Sequence, residues 1–353
     1  MSAKKWIFDA INSKTKKPMP ILSFPGVQLI GVSVDSLVRS GSLQANCMKA
    51  IADRYDTLAS VTLMDLSVEA EAFGSSVIFS EDEVPTVVKR IVEDIDDVEK
   101  LKIPEVGAAR TGEYIKTVSE AKKQIADRPV LAGAIGPFSL AGRLLDMTEV
   151  MVLSLTEPET VHAVLEKATE FIAAYAKSFK EAGADGIIFA EPAAGLLSPE
   201  LNREFSAGYL KRITKEIKDE DFAVIYHNCG NTIPLIKDIL DIGADGLHFG
   251  NSIPLHEMLP LVPPGVAVFG NVNPAGQFKN GTVSSIAENT REILERCGSY
   301  QNYIPSSGCD IPPTSPLENI DAFFAAVRKY YEKQEIFNKI NTKRRIQLCR
   351  EKK

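Results

Sequence analysis

The sequence predicts an α/β protein folded as a (β/α)8 TIM barrel with an N-terminal helical extension. Three observations carry this. From residue 129 onward, short and continuously apolar runs alternate with segments of helical periodicity, the pattern of parallel strands covered by helices. A local repeat supports it: Ala-Gly-Ala-Asp-Gly-Ile at 182–187 recurs as Ile-Gly-Ala-Asp-Gly-Leu at 242–247, each with a helix-ending glycine before a strand. The strand count comes to about eight. A doubly wound open sheet is the alternative, but that fold usually carries a glycine-rich fingerprint after its first strand, and no G-x-G-x-x-G or P-loop occurs.

The elements follow in order. The first 20 residues are rich in lysine, with Trp6, Ile7 and Ile11 at helical spacing, and predict a short exposed or packing helix rather than a membrane anchor. Residues 20–24 (PILSF) read as an early strand, 41–56 as a helix and 61–66 (VTLMDL) as a strand. The apolar run 129–137 is a buried strand ending in Gly-Pro. Residues 157–182 form a helix stopped by Gly183, and 185–192 (DGIIFAEP) a strand. A helix over 199–218 starts with Ser198 as N-cap and Pro199 in its first position. Strand 222–230 (FAVIYHNCG), helix 232–242 and strand 245–250 (DGLHFG) come next. Strand 266–272 (VAVFGNV), a helix near 283–297, strand 302–305 (NYIP) and a closing helix at 316–333 complete the pattern. The chain is read as one barrel domain over 1–353, with 1–20 as the extension and 334–353 as a Lys/Arg-rich tail, either disordered or packed as a helix.

Composition narrows the function. With 44% hydrophobic and 25% charged residues among 353, the chain has the make-up of a folded protein rather than a disordered or fibrous one. No apolar run approaches the ~20 residues that span a bilayer. The N-terminus lacks the apolar core of a secretory signal, so a cytoplasmic protein without membrane contact is expected. A net charge of −7 leaves no basic footprint for nucleic acid. Five cysteines do not make a disulfide framework at this length, and clustered cysteines more often bind metal or do chemistry.

In a barrel, chemistry sits at the C-terminal ends of strands. The strongest signal there is Tyr-His-Asn-Cys-Gly at 226–230. His227 and Cys229 are two residues apart and share a face, and if Tyr226 faces the helices both point to the barrel mouth. An imidazole and a thiolate can fill two corners of a zinc tetrahedron, and Cys309, just past the last strand, can supply a third. The plain alternative is inert buried cysteine, which is common. Cys47 and Cys297 fall on helices and Cys349 in the tail. Other strand ends offer Asp65, Glu69 and Glu71, then Glu191, Asn251, Asn271 and Asn273. Asp65, Glu71 and Glu191 are candidates for catalysis, and Glu69, Asn251 and Asn271 for holding a cofactor or substrate. His248 and Phe249 point to opposite faces, so His248 either faces the pocket or, the favoured reading, is an ordinary satisfied histidine; His162 and His256 read as packing or surface residues.

These stretches also resemble a known family. Leu-Leu-Ser-Pro (196–199), His-Asn-Cys-Gly-Asn (227–231), Gly-Asn-Val (270–272) with Pro274, and Gly-Cys-Asp-Ile-Pro-Pro-Thr-Ser-Pro-Leu-Glu-Asn (308–319) are similar to the uroporphyrinogen decarboxylase superfamily. Within it they are most similar to the corrinoid-dependent methyltransferases of the methylcobamide:coenzyme M type. The resemblance covers about residues 5–333 and implies a (β/α)8 barrel. It also implies Zn2+ held by His227, Cys229 and Cys309, a methylcobamide corrinoid brought by a carrier protein, and a small-molecule thiol as methyl acceptor.

Two departures bear on this. The decarboxylases grip substrate carboxylates with an Arg-rich N-terminal motif, whereas residues 18–31 contain no arginine. Thiol methyltransferases of this type often place an acid at the end of the strand after His-x-Cys, where this chain has His-Phe-Gly-Asn (248–251). The remaining alternatives are transfer from a methoxylated or methylated donor to cobalt(I), a cofactor-free decarboxylase, and a non-catalytic corrinoid-binding protein.

Overall fold

A computed structural model describes the backbone of residues 3–350 and the side chains of residues 5–336. Its strands are β1 (Ser60–Val61), β2 (Val77–Ile78), β3 (Thr86–Val87), β4 (Val130–Ile135), β5 (Gly186–Ala190), β6 (Ala223–Asn228), β7 (Gly246–Phe249), β8 (Ala267–Val272) and β9 (Tyr303–Ser307). β2 and β3 form a small antiparallel ribbon. The other seven form one parallel sheet in the order β1-β4-β5-β6-β7-β8-β9. Helices follow the strands, among them Pro137–Leu145 after β4, Pro158–Glu181 before β5, and Val283–Cys297 between β8 and β9. This is the TIM-barrel architecture that the alternating pattern predicts.

The eighth stave differs from expectation. Residues 20–24 are not a regular strand. Pro18 and Pro20 lack the N–H groups that a central strand must donate, so only fragments of a ladder form. The Met19 N–H donates to the Pro305 carbonyl at 2.9 Å on one side, and the Leu58 N–H donates to the Pro18 carbonyl at 2.9 Å on the other. Side chains complete the seam: the Ser306 hydroxyl donates to the Met19 carbonyl, and the Ile21 N–H donates to Ser307 Oγ. The strand expected over 61–66 is likewise cut to Ser60–Val61. Beyond it, the Thr62 hydroxyl oxygen accepts the Gly133 N–H at 2.9 Å, and the chain then turns aside.

The repeated Gly-Ala-Asp-Gly has a mechanical explanation. Gly183 and Gly243 take left-handed φ of 98° and 78°, which ends each helix. The aspartate that follows ties the strand to its neighbour. Asp185 accepts the Val130 N–H at the start of β4, and Asp245 accepts the Val224 N–H in β6. The helix expected over 199–218 is capped by Ser198, whose Oγ accepts the Leu201 N–H, but it contains a π turn at Arg203–Ala207. The closing helix runs Leu317–Arg350, so the backbone of residues 334–350 continues it. Cys349 lies outside the described side chains. Among the described residues no helix is long and apolar enough to cross a membrane.

The barrel sorts its side chains by parity. Ile188, Ala190, Ala223, Ile225, Ala267, Phe269 and Ile304 form an inner cluster, whereas Ile187, Phe189, Val224, Tyr226, Leu247 and Phe249 pack outward in the larger helix-facing core. The N-terminal helix, Ala3–Asn12, belongs to the inner cluster through Trp6, Ile7, Ala10 and Ile11. It therefore packs on the barrel interior, and the packing form of the expected extension is the one found. Buried Lys16 fixes the end of this plug by donating to the carbonyls of Ala10, Ile11 and Gln301. Trp6 is only 3% exposed. Trp6→Ala should cost about 3–5 kcal/mol of folding stability. Urea unfolding followed by far-UV circular dichroism checks this, since Trp6 is the only tryptophan available for fluorescence.

Candidate functional site

β6 and β9 bring His227, Cys229 and Cys309 together at the C-terminal mouth of the barrel. Tyr226 packs outward, so the parity of β6 turns His227 inward. Cys229 follows β6 directly, and Cys309 lies two residues beyond β9. One ligand atom from each of the three lies within 4.8 Å of the others. His227 Nε2 is 3.4 Å from Cys309 Sγ. Zinc bonds of about 2.0–2.1 Å to nitrogen and 2.3 Å to sulfur, at tetrahedral angles, separate such atoms by ~3.6–3.8 Å. The nitrogen–sulfur spacing and the soft donor set therefore suit zinc. The neighbouring Cys309 thiol, and then the His227 ring, pull the Cys229 thiol well below its ordinary value. Its thiolate and burial push Cys309 up.

His248, favoured above as an ordinary histidine, lies directly behind the cluster. Register pairs it with His227 across β6 and β7, and the two Nδ1 atoms lie 2.8 Å apart. The hydrogen directions follow from the far end of the chain. The Ser306 hydroxyl donates its one hydrogen to the Met19 carbonyl, so its oxygen accepts from His248 Nε2 at 2.9 Å. Burial pushes the His248 pKa well down and keeps the ring neutral. Its Nδ1 is then an acceptor, and His227 Nδ1 must donate to it. This leaves the His227 Nε2 lone pair facing the sulfurs, the arrangement that orients metal-ligating histidines. The sequence clue was parity: His248 is two residues from Gly246 and shares its face.

Close backbone approaches hold the cysteine loops. A Cβ on Gly250 would lie 2.4 Å from the Cys229 Cα, and one on Gly195 would lie 2.7 Å from the Gly230 Cα. Gly308 clears Asn251, whose N would lie 2.9 Å from a Cβ there. Asn251 itself is exposed and is not part of the cluster. Asn271 uses its amide to donate to the carbonyls of Gly250 and Ile253, so it braces the loop after β7.

The carboxylates are placed differently from expectation. Glu191 does not face the mouth. It is fully buried between β5 and the helix Pro137–Leu145, where its carboxylate accepts the N–H groups of Phe138 and Ser139 at the helix N-terminus. Burial raises its pKa to about 7. Asp65 accepts from Arg110, from Tyr114 Oη and from the N–H and hydroxyl of Ser67. Glu71 pairs with the same Arg110 guanidinium. Glu69 is buried: one oxygen accepts the Ile135 N–H, the other has no partner among the described residues, and burial raises it to about 7. Neither Asp65, Glu69, Glu71 nor Glu191 joins the His/Cys cluster.

A cavity of about 390 Å³ opens beside the cluster. None of the three His/Cys residues lines it, but Asp310, the residue after Cys309, does, together with Met64, Ser67 and Arg143. Its outer wall is the segment around β2 and β3, with Val84 and Val87 facing in. Phe79 in this segment carries the guanidinium of Arg39 at 3.7 Å and that of Arg110 at 4.9 Å from its ring centroid, which holds the ribbon against the mouth.

The chain is similar to known proteins. A methylcobamide:CoM methyltransferase MtbA of Methanosarcina acetivorans is 29% identical over 272 residues, covering 75% of this chain and 78% of the relative. A uroporphyrinogen decarboxylase of Hydrogenovibrio crunogenus is 25% identical over 292 residues, covering 78% and 79%. Among solved structures, a methyltransferase from Methanosarcina mazei superposes with a TM-score of 0.82 at 24% identity, over 94% of this chain and 99% of that one, and supports the fold. The family model for uroporphyrinogen decarboxylase (URO-D) matches residues 19–330, and the chain belongs to that family.

Proposed function

We propose that the protein is a zinc-dependent methyltransferase. It would move a methyl group between a corrinoid, presented by a carrier protein, and a small thiol such as coenzyme M or a related acceptor. The observation that carries this reading is the two-sulfur, one-nitrogen cluster at the barrel mouth. Relatives named as methylcobamide:CoM methyltransferases support the corrinoid and the thiol.

His227, Cys229 and Cys309 would hold the metal. Among the described residues the cluster has three members, which leaves a fourth position for a substrate. Zinc bound there would take a thiol as its thiolate, a form scarce at neutral pH for a free thiol of pKa ~8.5. Cys229 and Cys309 each add a negative charge when deprotonated, which keeps a third sulfur electron-rich and nucleophilic. His248 fixes the His227 ring. Glu191, Glu69 and the Asp65–Arg110–Glu71 network hold the strands and helices around the cavity. A corrinoid presented at the mouth would supply the methyl group and keep the cobalt–carbon electron pair as cobalt(I), while His227, Cys229 and Cys309 would present the acceptor sulfur that bonds to the methyl carbon. Uroporphyrinogen decarboxylation is disfavoured: residues 18–31 bring no arginine, and Asp65 is already engaged by Arg110, Ser67 and Tyr114.

Elemental analysis should find about one zinc per chain in the native protein and none in a Cys229→Ala/Cys309→Ala variant. Methyl transfer from methylcobalamin to thiols should vanish with the metal. A native protein that takes up no zinc on reconstitution, or a Cys309→Ala variant with full transfer, would sink the reading. His248→Phe removes the acceptor behind His227 and should weaken zinc binding about 10–100-fold, read by competition with a chelator. Unchanged affinity would show that His248 only fills space.

The buried carboxyl of Glu69 has a pH signature. Its folded pKa of about 7 stands above the ordinary 4.5, so its contribution to stability is present below about pH 4.5 and is lost as pH rises through 7. Glu69→Gln should make the fall in melting temperature between pH 5 and 8 shallower than in the native protein. Superimposable profiles would refute this.

A further inference from the structure

The cavity beside the His/Cys cluster contains a cation that no described side chain pairs with directly. Arg143 sits in the last turn of the helix Pro137–Leu145, and its side chain is part-buried in the cavity wall. Among the described residues it makes no hydrogen bond or ion pair. The other cations near the cavity are engaged. Arg110 pairs with Asp65 and Glu71, and Lys279 pairs with Glu83 at 3.3 Å. The acidic groups at hand do not serve Arg143 either. Asp65 favours the charge of Arg143 from a distance but is bonded to Arg110, and half-buried Asp310 accepts from the Ser23 hydroxyl.

A guanidinium taken partly out of water without a partner is costly, and burial lowers the pKa of Arg143 accordingly. Its helix is nevertheless rigidly seated, because Glu191 binds the N–H groups at the helix start. The rest of the cavity offers mainly apolar surface, including Met64, Leu66 and Val84. A small molecule with one oxyanion and a short apolar stem would fill both halves. Its volume of about 390 Å³ is that of a small-ligand site and far too small to enclose a corrinoid.

We infer that Arg143 selects the methyl acceptor by gripping an anionic head, carboxylate or sulfonate, on the thiol whose sulfur lies at the His227–Cys229–Cys309 cluster. The guanidinium fork matches either oxyanion with paired hydrogen bonds. This rests on the thiol-acceptor reading above, and it supplies from the end of the helix after β4 the anion contact that residues 18–31 lack. Arg143 is a specificity residue here and takes no part in the bond changes at sulfur.

The test compares acidic thiols (2-mercaptoethanesulfonate, 3-mercaptopropionate) with the neutral 2-mercaptoethanol, using methylcobalamin as donor, in native protein, Arg143→Gln and Arg143→Lys. Arg143→Gln should raise KM for the acidic thiols about 10–100-fold, the loss of a charged hydrogen-bonded contact. KM for 2-mercaptoethanol should change less than about threefold, and Arg143→Lys should fall between. Equal losses on acidic and neutral thiols would overturn the inference. So would a rise confined to KM for methylcobalamin, which would place a corrinoid phosphate on Arg143 instead. A second readout is independent of turnover: calorimetric binding of ethanesulfonate and propionate to metal-stripped protein should be present in native protein and lost in Arg143→Gln. If that binding is found but no methyl transfers, the anion subsite stands and the methyltransferase reading falls. If methyl transfers with no dependence on Arg143, the reverse holds.

Discussion

The seam of the barrel is the constraint on which the rest depends. A parallel barrel must close its first stave on its last, and here the closing segment is interrupted by Pro18 and Pro20. The backbone between them has one N–H and one carbonyl to offer at Met19, and both are used against β9. The N–H reaches Pro305 and the carbonyl takes the hydroxyl hydrogen of Ser306. That second bond matters beyond closure. It fixes which way the Ser306 hydroxyl points, hence which nitrogen of His248 carries hydrogen, hence which nitrogen of His227 is left for a metal. The weakest stave of the barrel thus sets the protonation pattern at the mouth. A single neutral chain, Met19–Ser306–His248–His227, links closure to chemistry without a buried charge, which avoids the desolvation an ion would bring.

The charged groups form a separate system on the other flank. Arg110 gathers Asp65, Glu71 and Ser67 on its fork and lies under Phe79, so one buried guanidinium ties the end of β1, the turn after it and the ribbon over the mouth. Buried ion pairs of this kind are weak stabilisers but strong determinants of geometry when every donor is satisfied. Glu191 does the equivalent for the helix after β4. The acids near the mouth therefore position elements, and the sulfurs and imidazoles are left as the groups able to act on a ligand.

Much of this could be read from the chain. Strand and helix spacing, the twofold Gly-Ala-Asp-Gly and the absence of a nucleotide fingerprint lead to the barrel. The parity of Tyr226, His227 and the strand-end position of Cys309 lead to the cluster. The misreadings have common physical causes. Glu191 ends a strand in a fully apolar run, and whether such a residue faces the axis or the helices depends on register, which both-sides-buried strands do not show in their pattern. The role of His248 depends on its cross-strand neighbour, a contact invisible along one chain. Nothing in the sequence singles out Arg143, and only the tertiary inventory shows that among the described residues it has no hydrogen-bond or ion-pair partner. The eighth strand looked regular because apolar residues suggest burial, while the missing donors of two prolines decide hydrogen bonding.

The fold alone does not decide the chemistry, because relatives named as decarboxylases and as methyltransferases share it. The distribution of charge discriminates between them. A substrate bearing many carboxylates requires several free cations around its rim, and among the described residues lining the cavity Arg143 alone has no hydrogen-bond or ion-pair partner, Lys279 being paired with Glu83 and nearby Arg110 with Asp65 and Glu71. The proposed acceptor, with a single anionic group and a soft reacting atom, is consistent with that distribution. The apolar stem surface of Met64, Leu66 and Val84 limits what joins the two ends to a short, weakly polar link. The same accounting shows that Asp65 is fully engaged within the protein. A carboxylate that already accepts from a guanidinium, a phenol and a serine has no lone pair directed at a substrate. Arg110 thus makes a scaffold of that carboxylate, and the proposed chemistry lies at the ends of β6 and β9, where the soft donors gather.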